Sequence, residues 1–225
     1  MQENDAVFAA VALALCVATA GFAQTPPSNG YIGVFADSAR TSCCIDIAPF
    51  HGKTLEIFAV LAGETAGGIT QAEFRLIFTD LTGYIPTWIA DPGASRAIGS
   101  PLPGPQEENY GVDVAFSACQ GSMAGDAVHL GSLQVVNISG GPGDILVTRR
   151  LPPTNPSYDC PNLVLCDAPV YTQVCLTVQT PTLDPGQEPV IFKTGLNKGS
   201  ACDATNCGVV PVTQKTWSSM KELYR

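Results

Sequence analysis

From Gly67 onward the chain sets apolar and polar side chains in alternation. Ala72, Phe74, Leu76 and Phe78 share one parity; Gln71, Glu73, Arg75 and Thr79 share the other, and only Ile77 is out of step. Successive side chains of a strand point to opposite faces, so this is the pattern of a half-buried strand in an antiparallel sheet. Thr54 to Leu61 is apolar at nearly every position, as expected of a strand covered on both faces. Asn109 to Ala118 alternates again, with Val112, Val114, Phe116 and Ala118 directed inward. In Ala127 to Val136 the apolar parity switches between Val128/Leu130 and Leu133/Val135, which predicts a β-bulge at Gly131-Ser132. Tyr31 to Ala36, Asp144 to Thr148, Leu163 to Leu165, Val170 to Val178 and Pro189 to Lys193 supply further short strands. Ile85-Pro86-Thr87-Trp88 reads as a short edge strand, because Pro86 has no N–H to give to a ladder.

About nine or ten short strands and no long helix predict an all-β, antiparallel sandwich of immunoglobulin-like or jelly-roll type over residues 24–197. Residues 81–108 are otherwise rich in Pro and Gly and read as a long loop, a common place for recognition. Tyr84, Trp88 and Tyr110, on or beside it, form either an aromatic platform for a sugar or peptide or a cap on the core. Residues 198–225 read as a Cys loop and tail. There Trp217, Met220 and Tyr224 follow Thr216 at helical spacing, a short amphipathic helix that either packs on the sandwich or docks a partner.

Val7 to Ala20 is almost unbroken Ala, Val and Leu, and Gly21-Phe22-Ala23 gives a small-x-small site before Gln24. Residues 1–23 therefore read as a secretory signal peptide, although Glu3 and Asp5 stand where basic residues are expected, which leaves the start at Met1 open. The run is shorter than the roughly 18 residues a membrane span needs, and the mature chain carries no second one. Composition narrows the partners. With a formal charge of −9 and 14% charged residues, the chain lacks the basic face a nucleic acid requires.

Removing the leader takes Cys16 away and leaves Cys43, Cys44, Cys119, Cys160, Cys166, Cys175, Cys202 and Cys207. An even set in an exported chain is a disulfide framework. Spacing suggests local bridges Cys202–Cys207 and Cys160–Cys166, with Cys43 or Cys44 stapled to Cys119 and Cys175. The expected location is secreted, extracellular or on the cell surface, with the periplasm as the other exported compartment.

Catalytic signatures are sparse. The two histidines are His51 and His129, and no G-x-S-x-G elbow marks a nucleophile. His129 reads as a solvated or locally bonded strand residue. Glu73 paired with Glu56 across neighbouring strands would be the nearest thing to a glycosidase pair, but solvent-facing Glu is the commoner case. No catalytic residue and no cofactor is assigned, and a structural Ca²⁺ would need loops to gather Asp113, Asp126 and Asp144. Asn137-Ile138-Ser139 is a formal glycosylation sequon.

The Gly67-to-Asp80 stretch, followed by Gly131-Ser132-Leu133-Gln134-Val135, resembles the strand pattern of cohesin-like modules. The Cys-rich and C-terminal parts depart from that pattern. A likeness over nearly the whole mature chain is to a family of secreted bacterial proteins without assigned activity. It is carried by Tyr31-Ile32-Gly33-Val34, Gly67 to Arg75, Cys160-Pro161, Cys166-Asp167-Ala168-Pro169 and Trp217 to Arg225. Together these readings imply an exported, non-catalytic binding, adhesion or surface-assembly module. Its partner would be a protein or glycan at the cell surface, or a second copy of itself. A secreted carbohydrate-active hydrolase and a self-assembling structural subunit are the alternatives.

Overall fold

The computed structural model describes residues 29–103, 110–176 and 190–199. These residues form twelve strands: β1 (Tyr31–Phe35), β2 (Cys44–Ile45), β3 (Gly52–Val60), β4 (Ile69–Phe78), β5 (Tyr84–Ala90), β6 (Arg96–Ser100), β7 (Gly111–Gln120), β8 (Ala127–Asn137), β9 (Gly143–Thr148), β10 (Asn162–Leu165), β11 (Gln173–Cys175) and β12 (Phe192–Leu196). Among the described residues the helical content is one 3-10 turn, Gly63–Gly67. The tail residues Trp217, Met220 and Tyr224 lie outside the described residues.

The strands make the two layers of a sandwich. One is a four-stranded antiparallel sheet in the order β1-β3-β8-β5. The other has eight strands: pairing links β11 to β10, β10 to β4, β4 to β9, β9 to β12 and β12 to β2, with β7 also on β4 and β6 on β7. Only the β12–β2 pair is parallel. Between the layers Ile32, Val34, Leu55, Ile57, Phe74, Leu76, Leu130, Leu133, Ile145 and Val147 are completely buried. These are the inward parities of their strands, so the alternation in the sequence is the core.

β4 carries the larger sheet because three strands pair with it. Its first half has β10 on one edge and β7 on the other, and its second half pairs with β9. Thr148 ends β9 opposite Arg75 and Asn162 opens β10 opposite Glu73. β9 and β10 thus run along the same edge of β4, and residues 149–161 leave that edge as a strap across the sheet. The bulge predicted at Gly131-Ser132 falls one residue earlier: Ile57 faces Gly131 but Phe58 faces His129, so Leu130 is the extra residue. Gly131 has φ +152° and a Cβ there would lie 2.4 Å from the Ile89 carbonyl, which only glycine avoids.

Two local readings need correction. Residues 81–108 are not one long loop, since β5 and β6 fall within them. The polypeptide crosses from one sheet to the other between these strands, which its Pro and Gly content conceals. Pro86 does lie on an edge strand, as its missing donor requires. The cysteine pairing also differs: Cys119 bonds Cys166 and Cys160 bonds Cys175, with Cα separations of 5.6 and 5.7 Å. Cys160 pairs with Cys175 because β10 and β11 form an antiparallel pair that brings those ends together. Cys119 meets Cys166 because β7 and β10 flank the start of β4 at Gly68, where Cys166 N–H donates to the Gly68 carbonyl. Short separation in sequence had favoured Cys160–Cys166, but strand pairing decides. The loops closed span 47 and 15 residues, and each bridge contributes on the order of 3–4 kcal/mol.

Candidate functional site

The outer face of the four-stranded sheet carries a hydrogen-bonded chain of four side chains. His129 on β8 stands between Glu56 on β3 and Asp91 just after β5. Its Nε2 lies 2.9 Å from Glu56 Oε2, and its Nδ1 contacts Asp91 Oδ2. The Ser132 hydroxyl donates to the same Glu56 oxygen at 2.8 Å. His129 and Ser132 are three residues apart in sequence, so simple alternation would put them on opposite faces. The extra residue at Leu130 restores both to the outer face, and the bulge therefore builds this chain.

Its chemistry follows from who donates to whom. Both imidazole nitrogens face carboxylate oxygens, and both bonds form only when both nitrogens carry hydrogen. Ser132 gives its proton to Glu56 and not to the imidazole, so the order of a nucleophile, its base and an orienting acid is not present. Glu56 and Asp91 approach opposite ends of the ring and do not converge on one point. Among the described residues no three His, Cys, Asp or Glu side chains are grouped to hold a metal. The arrangement fixes a polar node of oriented, part-exposed groups on a rigid sheet. The exposed His51 is not part of it; its Nδ1 pairs with the Pro49 carbonyl at 2.9 Å.

Beside the node lies an aliphatic surface. Ile85 and Ile89 point outward from β5 and are 56% and 46% exposed, and Val136 on β8 faces Ile85 in register. Phe50, whose N–H donates to the Asn137 carbonyl at the same end of the sheet, is 79% exposed. Among the described residues β5 pairs only with β8, at the end of the strand order.

The aromatic residues singled out from sequence do not share this face. Tyr84 and Trp88 take the opposite parity from Ile85 and Ile89 and point inward. Tyr84 is buried, donates its hydroxyl to the Gly141 carbonyl at 2.6 Å and accepts from Asn197 at 2.8 Å. Trp88 packs edge-on against Phe74 across the core, with centroids 6.1 Å apart. Tyr110 sits in the other layer, with the Arg75 guanidinium 4.7 Å above its ring.

A second polar cluster, on the outer face of the larger sheet, went unread as such in the sequence. Asn162, Glu73 and Asp113 stand opposite one another on β10, β4 and β7, and all three are buried along with Arg75. The strap covers them: Thr154 N–H and the Asn162 amide donate to Glu73 Oε1 at 3.1 and 3.2 Å, and Arg150 lies 3.5 Å from Oε2. Glu73 is therefore neither solvent-facing nor a neighbour of Glu56, which belongs to the other sheet. Polar alternation alone could not reveal this, because the covering strap contributes no strand pattern.

Burial pushes the Asp113 carboxyl above its ordinary range, Arg96 beside it pulls the other way, and Glu73 raises it further. An acid whose pKa is raised by folding binds its proton more tightly when folded. Its ionisation therefore costs stability at neutral pH, and the cost is relieved as pH falls through the folded-state value. Asp113→Asn is expected to unfold at higher urea than the parent at neutral pH, with the advantage shrinking in mild acid. An advantage that instead grew on acidification would contradict this assignment.

The other candidates have local partners. Asp126 accepts from the Ser122 and Met123 N–H groups, Asp144 pairs with Lys193 at 3.0 Å, and with Asp113 they occupy separate strands and turns. Asn137 of the sequon is buried. Its amide donates to the Ile47 carbonyl and its oxygen accepts from Gly140 N–H, each at 2.7 Å, so in the fold it is a structural residue with no exposed amide for a glycan.

No family model matches the chain, and no curated protein does. Among solved structures it is similar to a cohesin module of a family 33 glycoside hydrolase from Clostridium perfringens, with a TM-score of 0.42, 8% identity, and coverage of 76% of this chain and 96% of that one. It is likewise similar to the sixth cohesin of scaffoldin B from Acetivibrio cellulolyticus, solved with a dockerin, at a TM-score of 0.42, 11% identity and 75% and 98% coverage. A third, an enzyme described as catalysing macrocyclization in alchivemycin A biosynthesis, gives 0.30, 13% identity and 78% and 92% coverage. Dockerin binding belongs to the solved cohesin, and macrocyclization to the third protein; likeness at this level carries neither over.

Proposed function

We propose that this chain is an exported, non-catalytic recognition module whose partner is a protein that docks on the outer face of the four-stranded sheet, over β5 and β8. The observation that carries the reading is the exposed aliphatic set Ile85, Ile89 and Val136, held on a rigid sheet beside the Asp91–His129–Glu56–Ser132 chain. Apolar side chains grouped on a sheet face and edged by hydrogen-bonded polar groups match the anatomy of a protein interface, with an apolar centre and a hydrogen-bonding rim. The node would give direction and the aliphatic surface would give affinity.

The test uses the mature chain as bait on the exported fraction of producing cells. The double variant Ile85→Lys/Ile89→Lys is expected to weaken capture about tenfold or more, because two contacts at the centre of the patch become charged. Its unfolding midpoint should stay close to that of the parent, since both side chains are already exposed in the fold. Undiminished capture by the folded variant would sink the reading. A hydrolase on this face would have to use Glu56 and Asp91, its part-exposed carboxylates. It predicts release of reducing sugar that Glu56→Gln abolishes, whereas the recognition reading predicts binding without turnover.

A further inference from the structure

The turn that leaves β5 holds an Asp–Pro bond, Asp91–Pro92, where the chain crosses from the four-stranded sheet to the larger one. A bond of this type is a weak point of a polypeptide in acid. The aspartate carboxylate closes a five-membered ring on its own backbone carbonyl carbon, an intramolecular attack with no second reactant to bring up. Proline then leaves easily, because its tertiary amide nitrogen accepts a proton more readily than other peptide nitrogens.

The surroundings of Asp91 suit that ring closure. Gly93 N–H donates to Asp91 Oδ1 at 2.6 Å, which folds the carboxylate over the bond it would break. A Cβ at Gly93 would lie 2.8 Å from that oxygen, so glycine leaves it room. Ala94 N–H donates to the Asp91 carbonyl at 3.0 Å and stabilises the negative charge that gathers there during attack. The other carboxylate oxygen, Oδ2, contacts His129 Nδ1, which carries a hydrogen in the imidazolium. Among the described residues the titratable groups bonded to that ring are Asp91 itself and, from β3, Glu56, which holds Nε2 at 2.9 Å. Phe58 of β3 packs on the ring, with centroids 5.1 Å apart. Pro92 and Gly93 are exposed, so water reaches the turn.

We infer that Asp91–Pro92 is a self-cleavage site, at which the chain cuts itself once in mild acid; this goes beyond the recognition reading and does not rest on it. The Asp91 carboxylate attacks the Asp91 carbonyl carbon and forms a cyclic anhydride. The bond from that carbon to the Pro92 nitrogen breaks, and the nitrogen takes the proton that the His129 imidazolium supplies. Water opens the anhydride to two carboxyl groups, and the proton it releases returns to the imidazole. One water is consumed, nothing is oxidised or reduced, and no external substrate is turned over. The products end at Asp91 and begin at Pro92. β5 stays paired with β8 and β6 with β7, so both pieces remain in the sandwich while the crossover between the sheets is cut.

The sequence supplies its own reference in a second Asp–Pro bond, Asp184–Pro185, which lies outside the described residues. The mature chain, with protease inhibitors present, is held at about pH 5 and about pH 8, the range over which histidine changes charge, then reduced and weighed. At the lower pH the cut at Asp91–Pro92 is expected to run about tenfold or more faster than the cut at the reference bond, a modest share of what a placed proton donor supplies. At the higher pH it should slow, and in urea the two bonds should break at like rates. Asp91→Asn is expected to abolish the cut. His129→Gln should slow it about tenfold and leave the reference bond unchanged, with the unfolding midpoint showing that the variant is folded. Gly93→Ala, in the exposed turn, displaces Oδ1 and should slow it too, which keeps the test open if the His129 variant does not fold. No cut at Asp91–Pro92, equal rates at both bonds in the folded chain, or undiminished cutting in a folded His129→Gln or Gly93→Ala chain would overturn the inference.

Discussion

Glu73→Ala is expected to lower folding stability by about 3–5 kcal/mol, the scale for breaking a buried, hydrogen-bonded charge network by removing one member. The carboxylate accepts from Thr154 N–H and from Asn162, and it faces Arg150. Without it the buried Asn162 amide loses its acceptor, Thr154 N–H and Arg150 lose theirs, and the strap over residues 149–161 loses its central attachment. The disulfide Cys160–Cys175 and the bond from the Tyr158 hydroxyl to the Gln173 carbonyl still hold the strap's far end. Urea unfolding should show the loss, and amide exchange should quicken most around Thr154. Glu73→Gln keeps an oxygen acceptor and is expected to cost less. A loss under about 1 kcal/mol in the alanine variant would mean that the strap is held elsewhere.

Phe74→Ala should cost a similar amount, about 3–5 kcal/mol, for a different reason. Phe74 is fully buried, and it meets Trp88 edge-on from the opposite sheet. Removing the ring leaves a cavity between the two layers and strips Trp88 of its aromatic contact. The change is visible by thermal or urea unfolding, with tryptophan emission shifting toward that of a wetter indole. A cost below about 1.5 kcal/mol would indicate that the layers close over the gap.

The sheets were legible in the sequence where one face is buried and the other is wet. β4, β7 and β8 follow their alternation, and the parity switch around Gly131 located the bulge that positions His129 and Ser132 together. Alternation says which parity faces the core; it does not say which sheet a strand joins or what covers its outer side. That is why Glu56 and Glu73 read as neighbours although they lie on different layers, and why the buried Glu73 looked solvent-facing. Tyr84 and Trp88 attracted attention as aromatics near turns, yet their parity on β5 sends them inward and leaves Ile85 and Ile89 on the surface. The residues of the candidate face converge from β3, β5 and β8, separated by up to about 80 positions of chain, and pairing across such distances leaves no local mark.

The most direct measurement is amide hydrogen exchange on the full mature chain, free and saturated with the partner it captures. A partner seated on the four-stranded sheet predicts added protection in β5, Tyr84–Ala90, and in the adjoining length of β8, with β10 and β11 unchanged. Protection confined to the larger sheet or to the strap, with β5 exchanging as in the free chain, would contradict the account.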